Sequence, residues 1–255
     1  MKRLVNIILH DIVRNKIVLV YTIILAALSW SSFALEDTSS KGLLTILNVI
    51  LFTVPLVSIL FSTIYIYNSA EFIELLLGQP VTRDKIWKSL FAGLSLSMVL
   101  AFLIGAGIPL LLYAPDVTGF MMIVVGSLIT VIFVGLAFLS SILTRDKAKG
   151  IGIAIMQWLF FALLFDGLVL FLLFQLADYP IEKSMVFLSA LSPIDLARIL
   201  ILLQLDVSAM MGYTGAIFKD FFGTSWGLAA SFVLLFLWGI IPFFISLRKF
   251  KHNDL

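Results

Sequence analysis

The sequence contains no cysteine. Disulfide frameworks, iron–sulfur clusters and thiolate metal sites are thereby excluded, and redox compartment cannot be read from cysteine usage. Its two histidines, His10 and His252, both lie in charged terminal segments, which excludes haem ligation by histidine inside a membrane. No G-x-x-x-x-G-K-[ST] phosphate loop occurs, so any ATP that drives this chain is hydrolysed by another one. Charge is also scarce, with Asp, Glu, Lys and Arg making up 13% of 255 residues. Soluble domains carry about 25%, and a soluble globule this poor in polar residues could not cover its surface. An ordinary cytoplasmic enzyme is excluded. Disorder is excluded as well, because it requires low hydrophobicity and high net charge. A net charge of +2 is too balanced to suggest a nucleic-acid partner.

What the chain has in abundance is apolar sequence: 62% of residues are hydrophobic, and the mean hydropathy is +1.15. Six stretches reach the roughly 20 largely apolar residues that a helical crossing needs. They are Ile17–Leu35, Leu43–Tyr67, Leu90–Tyr113, Gly119–Leu143, Ile151–Ala177 and Ser225–Leu247. The runs are continuous rather than alternating, which excludes a transmembrane β-barrel. The expected fold is an all-α integral membrane protein with six transmembrane helices, read as one domain over residues 1–255. Orientation follows from Lys and Arg in the short loops. With both termini in the cytoplasm, thirteen basic residues fall inside and four (Lys41, Lys183, Arg198 and Lys219) outside. Acidic residues trend the other way, beginning with the outer pair Glu36-Asp37.

Residues 1–16 form a separate unit. Arg3, Asn6, His10 and Arg14 recur at helical spacing opposite Leu4, Ile8, Leu9, Ile12 and Val13, as in an amphipathic helix lying among cytoplasmic headgroups and bracing the first span. A signal peptide ending near Ser32-Phe33-Ala34 competes, but an amphipathic stretch of this length makes a poor leader start, so an uncleaved anchor is expected. Met185–Leu205 is apolar enough to suggest a seventh span. Ser192-Pro193-Ile194-Asp195 argues against it, because it reads as a helix start with Ser as N-cap and Pro in first position. A crossing would also place Asp195 and Arg198 in lipid, at about 2.5–3.5 kcal/mol each. Residues 178–224 are therefore expected to form an extracytoplasmic segment with partly embedded helices.

The cytoplasmic loop 68–88 reads as a short helix, a stop and a second start. Ser69 and Thr82 are the expected caps, and Gly78 and Pro80 the stop. Phe72, Leu75 and Leu76 form an apolar side flanked by Glu71 and Glu74. Such a ridge fits a groove on a partner; a solvated turn fits the same residues equally well.

The run Glu71-x-x-Glu74-Leu75-Leu76-x-x-Gln79-Pro80-Val81-Thr82-Arg83 resembles the coupling-helix segment of ABC-2 type ABC-transporter permeases. Those permeases also begin with a cytoplasmic amphipathic helix and carry a long outer segment between spans five and six. The architectural likeness covers essentially the whole chain, the sharp motif about thirteen residues. The resemblance implies that Glu71, Phe72, Glu74, Leu75, Leu76, Gln79, Pro80 and Arg83 dock a cytoplasmic ABC ATPase. It further implies that this chain works as a homodimer in a bacterial inner membrane and binds no cofactor itself, ATP and Mg sitting on the ATPase. A narrower likeness runs through Leu191–Ile199 and Leu205–Ala216, which are similar to permeases of the NosDFY type, serving nitrous-oxide reductase maturation. By that likeness a NosF-like ATPase and a periplasmic NosD-like protein are the partners, in support of a copper–sulfur centre. Pro193, Asp195, Arg198 and Asp206 would then mark the periplasmic partner contact or gate.

The residues themselves speak against copper held on this chain. Soft ligands suit Cu(I), yet Met121, Met122, Met185, Met210 and Met211 are the only such side chains towards the outer face, and methionine there is usually packing material. No metal site is expected. Asp166, the one charged residue within the six stretches, is expected near the middle of span five, either hydrogen-bonded to Asn48, Ser95 or Thr130 or lining a pathway. Gly105, Gly107 and Pro109 permit a kink or a close helix approach in span three. Trp30, Tyr113, Tyr179 and Trp226 outside, with Tyr65, Tyr67 and Trp87 inside, fit the aromatic belts. An ABC-2 exporter of another substrate and a self-contained secondary transporter are the alternatives; the latter needs several intramembrane charges and repeated broken helices, which this sequence does not display.

Overall fold

A computed structural model describes residues 2–36, 39–175, 187–205 and 224–252, and every regular element among them is helical. Chain order runs α1 (Lys2–Val13), α2 (Lys16–Leu35), α3 (Ser39–Asn68), α4 (Ala70–Leu77) and α5 (Arg83–Phe102). A π-helical turn, Leu103–Gly107, joins α5 to α6 (Ile108–Tyr113). Then come α7 (Val117–Leu143) and α8 (Lys147–Leu159), which a second π-helical turn, Phe160–Leu164, joins to α9 (Phe165–Gln175). The remaining described helices are α10 (Pro193–Gln204) and α11 (Ser225–His252). Six helical stretches are long and apolar enough to cross a membrane: α2, α3, α5–α6, α7, α8–α9 and α11. They coincide with the six expected from sequence.

Side-chain carboxylates and amides start three of these helices. Asn15 accepts from the Ile17 N–H at 2.9 Å, Asp116 from Gly119 at 3.0 Å, and Asp146 from Ala148 at 2.8 Å and Lys149 at 3.2 Å. Each satisfies amide donors that a helix start leaves open. The π-helical turn in span three has a local cause. Pro109 has no N–H for the preceding turn, and the wider turn absorbs the loss. The close approach expected there is seen at Gly105, where an added Cβ would stand 3.1 Å from the Leu25 side chain and the Thr22 carbonyl of α2.

Span four, α7, is the hub. It packs against α3, α11, α5, α8 and α10, with Ile129, Phe133, Val134, Ala137 and Phe138 fully or almost fully buried. Met121 and Met122 lie in the same core, as packing material. Lipid offers no hydrophobic reward for bringing helices together, so close fit and hydrogen bonds must do so. Gly126 supplies fit: a Cβ there would come within 2.9 Å of the Phe102 ring. Gly135 supplies more, because its Cβ would lie 3.0 Å from the Gly239 carbonyl of α11.

At one end of the bundle, which carries most of the basic residues, Trp87 is buried and stacks on Phe250 at 4.2 Å. Its Nε1 donates to Ser246 Oγ at 2.8 Å, and Ser246 donates onward to the Phe138 carbonyl at 3.1 Å. Spans three, four and six are thereby locked together. Trp87 is thus not part of an aromatic belt, since its neighbours on three helices enclose it. Tyr65 and Tyr67 are likewise bonded to protein, to Asp11 at 2.9 Å and to the Thr144 carbonyl at 2.8 Å. At the other end Tyr113 meets Trp30 edge-on and stacks on Phe33 at 4.9 Å. Tyr179 lies outside the described residues.

The N-terminal helix corrects another expectation. It braces span three more than span one, packing chiefly against α5 with Ile8 and Ile12 buried. Gly93 of α5 makes room for Ile8, whose Cβ would stand 2.9 Å from one added there. The apolar face therefore reads protein as well as lipid, while Ile7 and Val13 stay exposed.

Ser246→Ala is expected to cost about 1–3 kcal/mol, because it leaves the Trp87 indole N–H buried without its acceptor. A lowered thermal unfolding midpoint of the purified protein checks this. Ser127→Ala, which removes a hydroxyl bonded to the Ile123 carbonyl of its own helix, should leave that midpoint nearly unchanged.

Candidate functional site

Two regions hold the residues singled out from sequence. The first is α4, at the basic end. Span two runs out at Asn68, the Ser69 carbonyl accepts from Ile73 at 2.9 Å, and one short helix follows. The expected hydroxyl caps do not form, because neither Ser69 nor Thr82 makes a side-chain cap bond. The Thr82 carbonyl instead opens α5, accepting from Lys85 at 2.9 Å and Ile86 at 3.3 Å. The stop is as expected. Gly78 donates back to Glu74 at 3.2 Å, and Val81 closes a tight turn over Pro80 by donating to Gln79 at 2.6 Å.

Helical spacing divides α4 into two faces. Ile73 and Leu76 are buried, while Phe72 and Leu75 are 40% and 71% exposed. Glu71, Glu74, Gln79 and Pro80 are exposed beside them, and Arg83 is half-buried. Leu76 therefore does not extend the outward ridge as expected; it holds the helix on the bundle, being three residues from Ile73 on the same face. Behind α4 lies a cavity of about 330 Å³, lined by Tyr67, Ile73, Glu74, Trp87, Arg145 and Phe250 among others. Around it polar ties fasten the span ends. Lys147 donates to Asn68 at 2.7 Å, and Asp84 holds Lys88 at 2.7 Å and Lys251 at 2.8 Å.

The second region lies at the opposite end. Ser192 caps α10 as the sequence indicated, accepting from the Asp195 N–H at 3.2 Å with Pro193 in first position. The twelve residues of α10 span about 18 Å, short of a crossing of about 30 Å, and among the described residues the membrane-length helices number six. The helix is sunk into the bundle against α7, α11, α3 and the second π-helical turn. Pro193 and Asp195 are buried, Asp195 being 8% exposed. They face the permease interior and offer little surface to a separate protein. Asp206 lies outside the described residues.

Arg198 donates to Asp166 at 2.6 Å and stands 3.6 Å from Asp195. Asp166 thus has a basic partner, contrary to expectation, and its expected neutral partners are otherwise arranged. Thr130 bonds to the Gly126 carbonyl at 2.8 Å, and the buried Ser95 hydroxyl makes no hydrogen bond. Asn48 lies close by, lining a cavity of about 420 Å³ with Arg198, Thr53 and Ala162. Counted from Lys149 at the basic end, Asp166 stands about 25 Å along its helix. Burial, with the Asp166 carboxylate against it, pushes the Asp195 carboxyl up to about 8. The Asp166–Arg198 pair was hidden in sequence by a 32-residue separation. One signal was available: a lone acid and a lone base, each in apolar sequence, are natural partners.

Comparison with known proteins places this geometry. The pattern of the ABC-2 family transporter proteins matches residues 31–255. The probable ABC transporter permease protein NosY of Pseudomonas aeruginosa is 30% identical over 173 residues, covering 63% of each chain. That alignment falls just short of two thirds of the relative's length. The probable NosY permease of Stutzerimonas stutzeri is 28% identical over 214 residues, covering 75% of this chain and 77% of its own. Six membrane-length helices, a short helix between the second and third, and a family pattern running from residue 31 to residue 255 agree: this chain belongs to the ABC-2 family of transporter permeases.

Proposed function

We propose that this chain is the membrane subunit of an ATP-driven transporter of the NosY kind, coupled through α4 to a separate cytoplasmic ATPase. The supporting observation is the outward face of α4. Phe72 and Leu75 stand exposed between Glu71 and Glu74 at a bundle end rich in basic residues. Exposed apolar side chains rimmed by charge suit a partner groove. In this reading the basic end faces the cytoplasm of a bacterial inner membrane, and ATP and Mg are bound by NosF-like subunits. The cavity behind α4 gives the helix room to be pushed. Its lining residues Tyr67, Trp87 and Phe250 belong to spans two, three and six, so movement of α4 passes directly to those spans.

A homodimer completes the assembly. Span five is the least covered of the six, with Met156, Phe160, Leu163, Leu164 and Phe171 exposed, and a second copy would pack on that side. At the outer end α10 serves as a gate element rather than a docking patch, because its charged residues face inward. A periplasmic NosD-like protein would engage the surrounding outer segment, and the work done would support assembly of the copper–sulfur centre of nitrous-oxide reductase.

Leu75→Arg is expected to reduce the recovery of co-expressed ATPase with the purified permease at least roughly tenfold, or about 1.4 kcal/mol of binding, while permease yield and unfolding midpoint stay near wild type. Unchanged recovery would reject docking at α4. Leu76→Arg should behave differently, lowering the permease's own unfolding midpoint by forcing a charge into the contact with the bundle.

A further inference from the structure

The outer ion cluster has one base for two acids. Asp195 and Arg198 are three residues apart on α10, and Asp166 projects from span five directly after the π-helical turn Phe160–Leu164. No proline occurs in that turn or in α9 after it, so the missing N–H that accounts for the turn in span three is not its cause. A π-helical turn inserts one extra residue and re-aims everything after it, and such turns recur at functional sites. Here the residue re-aimed is Asp166. Its carboxylate takes the Arg198 guanidinium at 2.6 Å, and its charge bears on the Asp195 carboxyl.

Nothing else described around the cluster supplies charge. From α3 the near groups are Asn48 and Thr53, both neutral; Lys41 lies seven residues before Asn48 on that helix and is exposed. The α7 sequence contains no acid, base or tyrosine. The basic residues of α11, Arg248, Lys249, Lys251 and His252, all sit at the opposite end of the bundle. The second π-helical turn brings Phe161 and Ala162, which are apolar. Two carboxylates against one guanidinium leave one uncompensated negative charge, and it falls beside Asp195, the buried member of the three. A single proton removes it.

We propose that Asp166, Asp195 and Arg198 form a one-proton site that fastens the outer helix α10 to span five, and that loss of the proton releases the helix. The proton would sit between the two carboxyl groups, with Asp195 donating to Asp166 while Arg198 balances the remaining charge. It leaves to water in the adjoining cavity of about 420 Å³, which Arg198 lines. The sign follows from linkage. A docked Asp195 carboxyl held up to about 8 binds its proton more tightly than a released one at the ordinary value of about 3.9. Docking is therefore strongest at low pH, weakens as pH rises through that interval, and levels off above 8.

Because the natural chain has no cysteine, spin labels can be placed without background. The test uses the full chain in lipid nanodiscs with Leu170→Cys and Gln204→Cys, both exposed positions on α9 and α10, and reads the distance distribution between about pH 6 and about pH 9.5. One short, narrow distance is expected at the acidic end. A longer population should grow at least roughly tenfold across the range, the growth falling below about 8 and levelling off above it. Asp195→Asn, permanently neutral, should stay docked throughout. A control pair, Leu28→Cys with Leu111→Cys on α2 and α6, should not respond. A distribution that ignores pH would overturn the proposal. So would a response that survives in Asp195→Asn, or one that the control pair shares and that therefore reports unfolding.

Discussion

Span four can be packed on nearly every side because it carries no charged residue and has glycine where neighbours come closest. The rest of the molecule depends on that. Inside a membrane, helices gain little by hiding apolar surface from surroundings that are equally apolar. The bundle is assembled instead by fit, with Phe102 received at Gly126 and the α11 backbone received at Gly135. A few buried bonds fix orientation, chiefly Trp87 to Ser246 and Ser246 to the Phe138 carbonyl. Spans three and six are seated on span four by these contacts, and α10 is sunk between span four and its neighbours.

This arrangement joins two distant ends mechanically. At the basic end, α4 rests on the bundle through Ile73 and Leu76 above a cavity bordered by spans two, three and six. At the other end, α10 rests on spans two, four and six and is tied to span five by the Arg198–Asp166 pair. A push on α4 and a release of α10 would therefore act on shared helices. Close-packed interiors respond to such pushes by shifting between arrangements rather than by deforming continuously.

Much of this was legible in the linear chain. Long uncharged runs can only be helices in a membrane, because every backbone amide must be satisfied within the segment, so all six spans stood out. Ser192-Pro193-Ile194-Asp195 signalled its helix start through the same local chemistry that the fold displays. The stop at Gly78 and Pro80 was equally local. Features that depend on which neighbour arrives were not legible. Trp87 looks like an interfacial tryptophan until Phe250 and Ser246 enclose it, and Leu76 looks like part of an exposed ridge until the bundle takes it up. The N-terminal helix shows an apolar face in either setting; only the fit of Ile8 at Gly93 directs it to span three.

The scarcity of charge in this chain therefore cuts two ways. By itself the sequence determined the number of spans, the gathering of basic residues at one end, the stop of α4 and the start of α10, because these follow from hydropathy, charge and local backbone chemistry within a few residues. Only the tertiary structure decided which of the few charges meet. Asp166 and Arg198 are brought together across 32 residues by a helix turned at a π-helical step, and Asp195 arrives with Arg198 because both ride one turn of α10. Pairing of that kind is set by how helices dock, and docking among uniformly apolar helices is decided by shape, which composition does not encode.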